Sequence, residues 1–143
     1  MLKVSQILAS KAKNAVYAVA PTQMVIEALE LMSARNIGAV MVMEGERLVG
    51  IFSERDYARK GILQDRKAKS TPVSEVMTSN VFTVNPESSI EDCMLLMSER
   101  KFRHLPVLHG SDVLGLISIG DVVTAIMQEQ QYRIQRLEQY ITS

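Results

Sequence analysis

Two short stretches carry the side chains best suited to chemistry. Gly115-Leu116-Ile117-Ser118-Ile119-Gly120-Asp121 is an apolar strand that runs into a serine and an aspartate just where a helical pattern begins. Gly50-Ile51-Phe52-Ser53-Glu54-Arg55-Asp56, sixty-five residues earlier, keeps the glycine, serine and aspartate in the same places. Ser-x-x-Asp has a plain structural use as a helix capping box, in which the serine oxygen satisfies a free N–H group and the acid reaches back. Capping prefers the longer Glu or Gln at the last position, whereas both copies here carry Asp. The second use is ligand contact. A helix start offers unpaired N–H groups and the positive end of a dipole, which suit a phosphate. A carboxylate repels phosphate, so the aspartate would instead accept hydrogen bonds from neutral ribose hydroxyls. Arg103 and His104, at the start of a second-half strand, would add charge-assisted contacts to the phosphate. A nucleoside phosphate fits all three features, and capping and ligand contact can coexist.

The elements that must position these groups are themselves duplicated. From Val16 to Asp56 and from Val81 to Asp121 the chain matches itself at a fixed offset without a gap, with Val19/Val84, Pro21/Pro86, Met32/Met97, Arg35/Arg100 and Gly45/Gly110 among the identities. Such a register points to an internal duplication that governs the fold. Each half reads as strand, helix, strand, strand, helix. Val16 to Val19 and Val81 to Val84 suit short strands ended by a proline two residues on. Val25, Ala28, Leu29 and Met32 fall at helical spacing, as do Ile90, Cys93, Met94 and Met97. Ser88 and Glu91 form a plausible capping box for the second of these helices. Ala39 to Met43 with Leu48 to Phe52, and Leu105 to Leu108 with Val113 to Ile117, read as hairpins around Gly45 and Gly110, with Pro106 required at a sheet edge. Neither half of about 60 residues would bury a sheet face comfortably alone, so the halves are expected to pack about a pseudo-twofold axis.

The expected fold class is α+β. Expected divisions are residues 1–62 for the first repeat, 63–72 for a linker, 73–127 for the second repeat and 128–143 for a helical extension. Val4-Ser5-Gln6-Ile7-Leu8 and Val73-Ser74-Glu75-Val76-Met77 read as a helical turn before each repeat's own half. The linker contains Asp65, Arg66, Lys67 and Lys69, and its basic cluster reads as solvated. In the extension, Met127, Gln130, Ile134, Leu137 and Ile141 form a short heptad seam with one polar core position, which either packs on the body or pairs within a dimer.

The totals exclude several classes. Forty-seven per cent hydrophobic and 22% charged residues describe a folded chain, and sixteen basic residues balance sixteen acidic ones, so no global field draws it to nucleic acid or an anionic membrane. The apolar runs are too short to span a bilayer and no signal sequence is evident, which makes a cytoplasmic setting the default. Cys93 reads as a small buried hydrophobe, and with His104 and His109 it makes no metal site.

Gly-apolar-x-Ser-x-x-Asp, preceded by a helix and a hairpin and repeated in tandem, resembles a pair of cystathionine-β-synthase (CBS) domains forming a Bateman module, over about Val4 to Met127. The resemblance implies a small stand-alone member that binds AMP, ATP, NAD or S-adenosylmethionine between the halves and assembles as a homodimer. Carried over, Asp121 would hold the ribose, and Ser118 with Arg103 and His104 the phosphate. Ile37, Gly38 and Ala39 of the other half would line the adenine pocket, with Leu116 beside them. Ser53, Arg55, Asp56 and Thr83 would form a second site. That second turn departs from its twin, since Glu54 and Arg55 replace Ile119 and Gly120, either supplying a phosphate contact or closing the pocket. Ala18 stands where the second half has Thr83. Lys11 and Lys13 would reach a phosphate tail or face solvent.

No phosphate loop, nucleophile elbow, His-Glu-x-x-His motif or clustered acid-base pair is present. The leading expectation is therefore a regulatory, non-enzymatic module that senses an adenine nucleotide. The rival is a dimeric interaction scaffold with vestigial pockets, and an enzyme acting on bound nucleotide ranks last.

Overall fold

A computed structural model describes residues 2–11 and 16–142. The element order is α1 (Val4–Ser10), β1 (Ala18–Val19), α2 (Val25–Arg35), β2 (Ala39–Glu44), β3 (Arg47–Ser53), α3 (Glu54–Asp56), α4 (Ile90–Arg100), β4 (His104–His109), β5 (Asp112–Ser118) and α5 (Ile119–Thr142). A π-turn over Tyr57–Gly61 and a 3-10 turn over Ile62–Gln64 extend α3, and a 3-10 turn over Val73–Glu75 follows the linker. The architecture is α+β and built twice.

In the first half β1 runs parallel to β2, which pairs antiparallel with β3. In the second half β4 pairs with β5 in the same register, His104 opposite Ser118 as Ala39 is opposite Ser53. Both hairpins turn at a glycine with φ near +60°, Gly45 at 63° and Gly110 at 62°, a backbone state that glycine enters without steric cost. The helix stripes bury as spaced: Val25, Ala28 and Met32 on α2, and Ile90, Cys93 and Met97 on α4.

Two local expectations need correction. Val81 to Val84 forms no strand, and only Val84 bridges to Val107. The reason lies in the residue aligned with Met41. Met41 donates its N–H to the Tyr17 carbonyl at 3.1 Å, whereas Pro106 occupies the corresponding place and has no N–H to give. Pro106 does lie on the edge away from β5, and its carbonyl accepts from Val84. The cap of α4 is Ser89, whose hydroxyl accepts from the Asp92 N–H at 3.0 Å, not Ser88, whose hydroxyl accepts from Asn85. The linker's basic cluster is largely solvated, with Lys67 and Lys69 exposed, while its backbone docks on the first half. Thr71 and Ala68 carbonyls accept from the Val25 and Ile26 N–H groups at the start of α2, and Arg66 donates to the Glu75 carbonyl.

A larger correction concerns the two segments that precede the repeats. Each belongs to the other half. Val4 and Ile7 of α1 lie in the second half's core with Ile90, Leu105, Ile117 and Val122. Val73 and Val76 lie in the first half's core with Val19, Met32, Val42 and Phe52. Backbone bonds fix both crossings, Val4 N–H to Ser88 and Ser5 N–H to Pro86 on one side, Val73 N–H to Gln23 and Ser74 N–H to Pro21 on the other. The repeated glycines of the twin stretch serve this crossing. A Cβ on Gly50 would lie 2.7 Å from Met77 Sδ and 2.9 Å from the Thr78 carbonyl oxygen, and one on Gly115 would lie 3.1 Å from Leu8 Cδ2.

Ile7→Ala should therefore unfold the second half in preference to the first, at a cost of about 2–5 kcal/mol for an emptied core position. Hydrogen exchange monitored by mass spectrometry checks this. Exchange should accelerate in β4 and β5, and acceleration centred on β2 and β3 would contradict the crossed assembly.

Candidate functional site

The end of β5 and the start of α5 build the first wall. Ser118 donates its N–H to Asp121 Oδ2 at 2.8 Å, and the Asp121 N–H donates to Ser118 Oγ at 3.1 Å, so the capping use of the motif is realised. Lys11, at the end of α1, donates from Nζ to the Leu116 carbonyl at 2.7 Å and pairs with Asp121 Oδ2 at 2.9 Å. Asp121 Oδ1 takes no hydrogen bond from any other described residue, and the side chain keeps 26% of its surface exposed. An acceptor oxygen thus faces outward from a helix start. Burial alone would raise the Asp121 pKa, but the Ser118 backbone bond and Lys11 outweigh it and hold the carboxyl below its ordinary value.

The opposite wall comes from the end of α2. Asn36 adopts the left-handed conformation at φ 55°, and the Asn36 and Ile37 N–H groups close the helix on the Met32 carbonyl. This stop turns Ile37, Gly38 and Ala39 toward the second half. Together the walls enclose a cavity of about 420 Å³ lined by Lys11, Tyr17, Arg35, Asn36, Ile37, Gly38, Ala39, Met41, His104, Leu116, Ser118 and Asp121. Tyr17 presents an aromatic face with the Arg35 guanidinium 5.2 Å from its ring centre. A Cβ on Gly38 would make only an ordinary contact with His104, 3.9 Å from ring atoms Cε1 and Nε2.

Seven of the eight residues expected for the first site line this cavity: Ile37, Gly38, Ala39, His104, Leu116, Ser118 and Asp121. Arg103 does not; it is exposed, and its carbonyl accepts from the Ile119 N–H. Lys11 is engaged in the site rather than facing solvent, and Lys13 lies outside the described residues. Tyr17, Arg35, Asn36 and Met41 were not singled out from sequence. The signal available for Tyr17 was its place in the first strand, directly ahead of Ala18.

The symmetry-related cavity is smaller, about 130 Å³, and contains Ser53, Arg55 and Asp56 with Thr78, Phe82, Phe102 and His104. Thr83 does not line it and lies instead in a wide trough of about 970 Å³ between the hairpin ends. Phe82 and Phe102 pack with ring centres 5.2 Å apart where the first cavity has Tyr17 and Ile37. Asp56 is consumed internally: Oδ2 accepts from the Ser53 N–H and hydroxyl, Oδ1 accepts from the Thr78 hydroxyl at 3.0 Å, Lys60 lies at 3.6 Å, and only 14% of the side chain is exposed. The two turns are twins in sequence and unequal in capacity.

The CBS domain profile matches residues 4–61 and 73–128. The chain belongs to the CBS domain family. It is 42% identical over 122 residues to the Arabidopsis thaliana CBS domain-containing protein CBSX3, mitochondrial, covering 82% of this chain and 59% of that protein, so it spans little more than half the relative's length. Among solved structures, a Burkholderia ambifaria CBS-domain protein provisionally named for signal transduction superposes with a TM-score of 0.86 at 45% identity, over 90% of this chain and 96% of that one. The hexameric CBS-CP12 protein of bloom-forming cyanobacteria superposes with a TM-score of 0.75 at 26% identity, over 85% of this chain and 66% of that one. CBS-domain pairs are generally regulatory rather than catalytic modules, and neighbours of this fold assemble into oligomers. Among the described residues no helix is long and apolar enough to cross a membrane, and no group of His, Cys, Asp and Glu could hold a metal ion.

His104 links the two cavities of this CBS pair. Burial pushes its pKa below 6.5; Asp121 and Asp56 oppose that shift, while Lys11 and Arg103 reinforce it. The folded chain thus prefers neutral His104. Stability from this residue is complete above the unfolded pKa near 6.5 and is lost as pH falls below it toward the depressed folded value. The Asp121 contribution, in contrast, is lost only below its ordinary 3.8. Urea unfolding at pH 7.5 and pH 5.5 should show a loss of stability that His104→Asn reduces; an equal loss in both proteins would exclude His104 as the titrating group.

Proposed function

We propose that this chain is a regulatory module that binds an adenine nucleotide (AMP, ATP, NAD or a related adenosyl ligand such as S-adenosylmethionine) between its CBS repeats and changes the relative placement of the repeats on binding. The observation that carries this reading is the 420 Å³ cavity that Ser118 and Asp121 of one repeat line together with the Ile37-Gly38-Ala39 segment of the other. A ribose on Asp121 would direct its base toward Gly38 and Ala39, with Tyr17 available as an apolar wall. Its phosphate would meet the Ser118 hydroxyl, with Lys11 close enough to contribute charge and neutral His104 a hydrogen bond. Arg103, on the exposed rim, would serve only a phosphate tail extending outward.

The second site is the weaker candidate, because Asp56 is saturated and the aromatic pair reduces the space. Single occupancy follows from that asymmetry. A ligand touching both repeats can shift their relative placement only by binding one arrangement better than the other, and this cavity, shared by both, is suited to that. A homodimer in the cytoplasm, acting on a separate regulated protein, completes the reading. Balanced charge and a single buried thiol support such a setting. No bound metal is needed, and no catalytic group is assigned.

Titration calorimetry with AMP, ATP, NAD and S-adenosylmethionine should give saturable heat with at least one ligand, at about one site per chain. Asp121→Ala should weaken that binding by about 1–3 kcal/mol, the size expected for a lost charged hydrogen bond, while Asp56→Ala leaves it nearly unchanged. No heat and no thermal shift with all four would favour the dimeric scaffold with vestigial pockets.

A further inference from the structure

The last turns of α5 leave the body. Val122 is buried and Ala125 and Ile126 pack partly on the second core, but from Gln130 to Thr142 every described residue is exposed. An isolated helix of this length is marginal in water, so these turns need a partner to persist. Their aliphatic residues lie in one seam, with Tyr132 and Tyr140 outside it. Met127, Ile134 and Ile141 occupy a positions of a heptad, and Gln130 and Leu137 occupy d positions; the apolar members range from 49% exposed at Ile134 to 79% at Ile141.

We propose that this seam pairs with the same seam of a second copy of the chain, as a parallel, in-register two-stranded coiled coil. Three observations fix the occupant and its direction. Ile134, Leu137 and Ile141 place β-branched side chains at a and leucine at d, the arrangement that favours two parallel strands. Gln130 is the lone polar core residue, and it meets its own counterpart only when the copies are in register, where the two amides can bond each other. Flanking charges agree. Arg133 at g faces Glu138 at the following e position of a parallel second copy, whereas an antiparallel pair would set Arg133 against Tyr140 and Glu138 against Gln131. Within one chain Arg133 bonds Glu129 at 3.2 Å, an exposed ion pair that contributes little and is readily exchanged. A membrane surface fits poorly, because the exposed turns carry Glu138 and several glutamines beside only Arg133 and Arg136.

The consequence is a dimer in which the two second repeats lie side by side about an axis parallel to α5, independent of any nucleotide. Disulfide trapping of the full chain tests it, with Cys93 left in place because it is buried. Leu137→Cys brings two thiols together at a core position, and mild oxidation should convert most of the protein to a covalent dimer. Gln139→Cys, on the outer face of the same turn, should remain largely uncrosslinked. Glu138→Arg should slow trapping at position 137 and Arg133→Glu in the same chain should restore it. Equal trapping at 137 and 139, or a chain that stays monomeric in sedimentation with neither position trapped, would overturn the pairing.

Discussion

Each half of this molecule lacks part of its own core and receives it from the segment that precedes the other half. α1 supplies Val4 and Ile7 to the second repeat, and the turn after the linker supplies Val73 and Val76 to the first. The exchange is fixed by backbone hydrogen bonds at both crossings and admitted by Gly50 and Gly115, where any side chain would collide with or crowd the incoming segment. A small repeat of this size buries too little apolar surface to stand alone, so each half folds only with the segment that crosses to it. It also positions the site. Lys11 reaches Asp121 only because α1 crosses to the second repeat.

Much of this was legible in the sequence because it rests on local pattern. The offset between repeats, the helix stripes and the glycine hairpins are properties of nearest neighbours along the chain, and the structure follows them closely. The Ser-x-x-Asp turns were also legible, though spacing alone did not say which oxygen of each aspartate would remain outward. What the sequence concealed depends on long-range partners. Nothing in Val4-Ser5-Gln6-Ile7-Leu8 indicates which repeat it packs on, and the helical reading of that stretch is the same either way. Pro106 was noticed as an edge residue, but its effect appears only when Met41 is seen donating to Tyr17 in the other half. The docking of Thr71 and Ala68 on α2 likewise satisfies N–H groups whose partners no local rule could name.

The unequal cavities show how the two halves of a duplicated scaffold can come to differ in capacity. Bulk in the turn, Glu54 and Arg55 in place of Ile119 and Gly120, suggested itself from sequence as the cause of any difference. Two other substitutions matter more. Phe82 and Phe102 occupy the places of Tyr17 and Ile37 and pack on one another, reducing the space before any ligand arrives. Thr78 and Lys60 then occupy the oxygen of Asp56 that its twin leaves outward. A carboxylate whose two oxygens both already accept hydrogen bonds gains less from a sugar hydroxyl than one with an oxygen left free.

Lys11 gives the first cavity a different balance. Its ammonium sits on the oxygen of Asp121 already bonded to Ser118 and leaves the other oxygen outward, so it lowers the carboxyl pKa without filling the contact surface. The pair keeps Asp121 ionised, and therefore an acceptor on both oxygens, across the neutral range. His104 on the same wall is held neutral by burial, so it can accept or donate a hydrogen bond without adding a fixed charge. An anion drawn toward Lys11 would favour protonation of His104, which lies against both cavities. A ligand charge placed there would act through this imidazole on both sides of the repeat interface, alongside any shift of the repeats themselves.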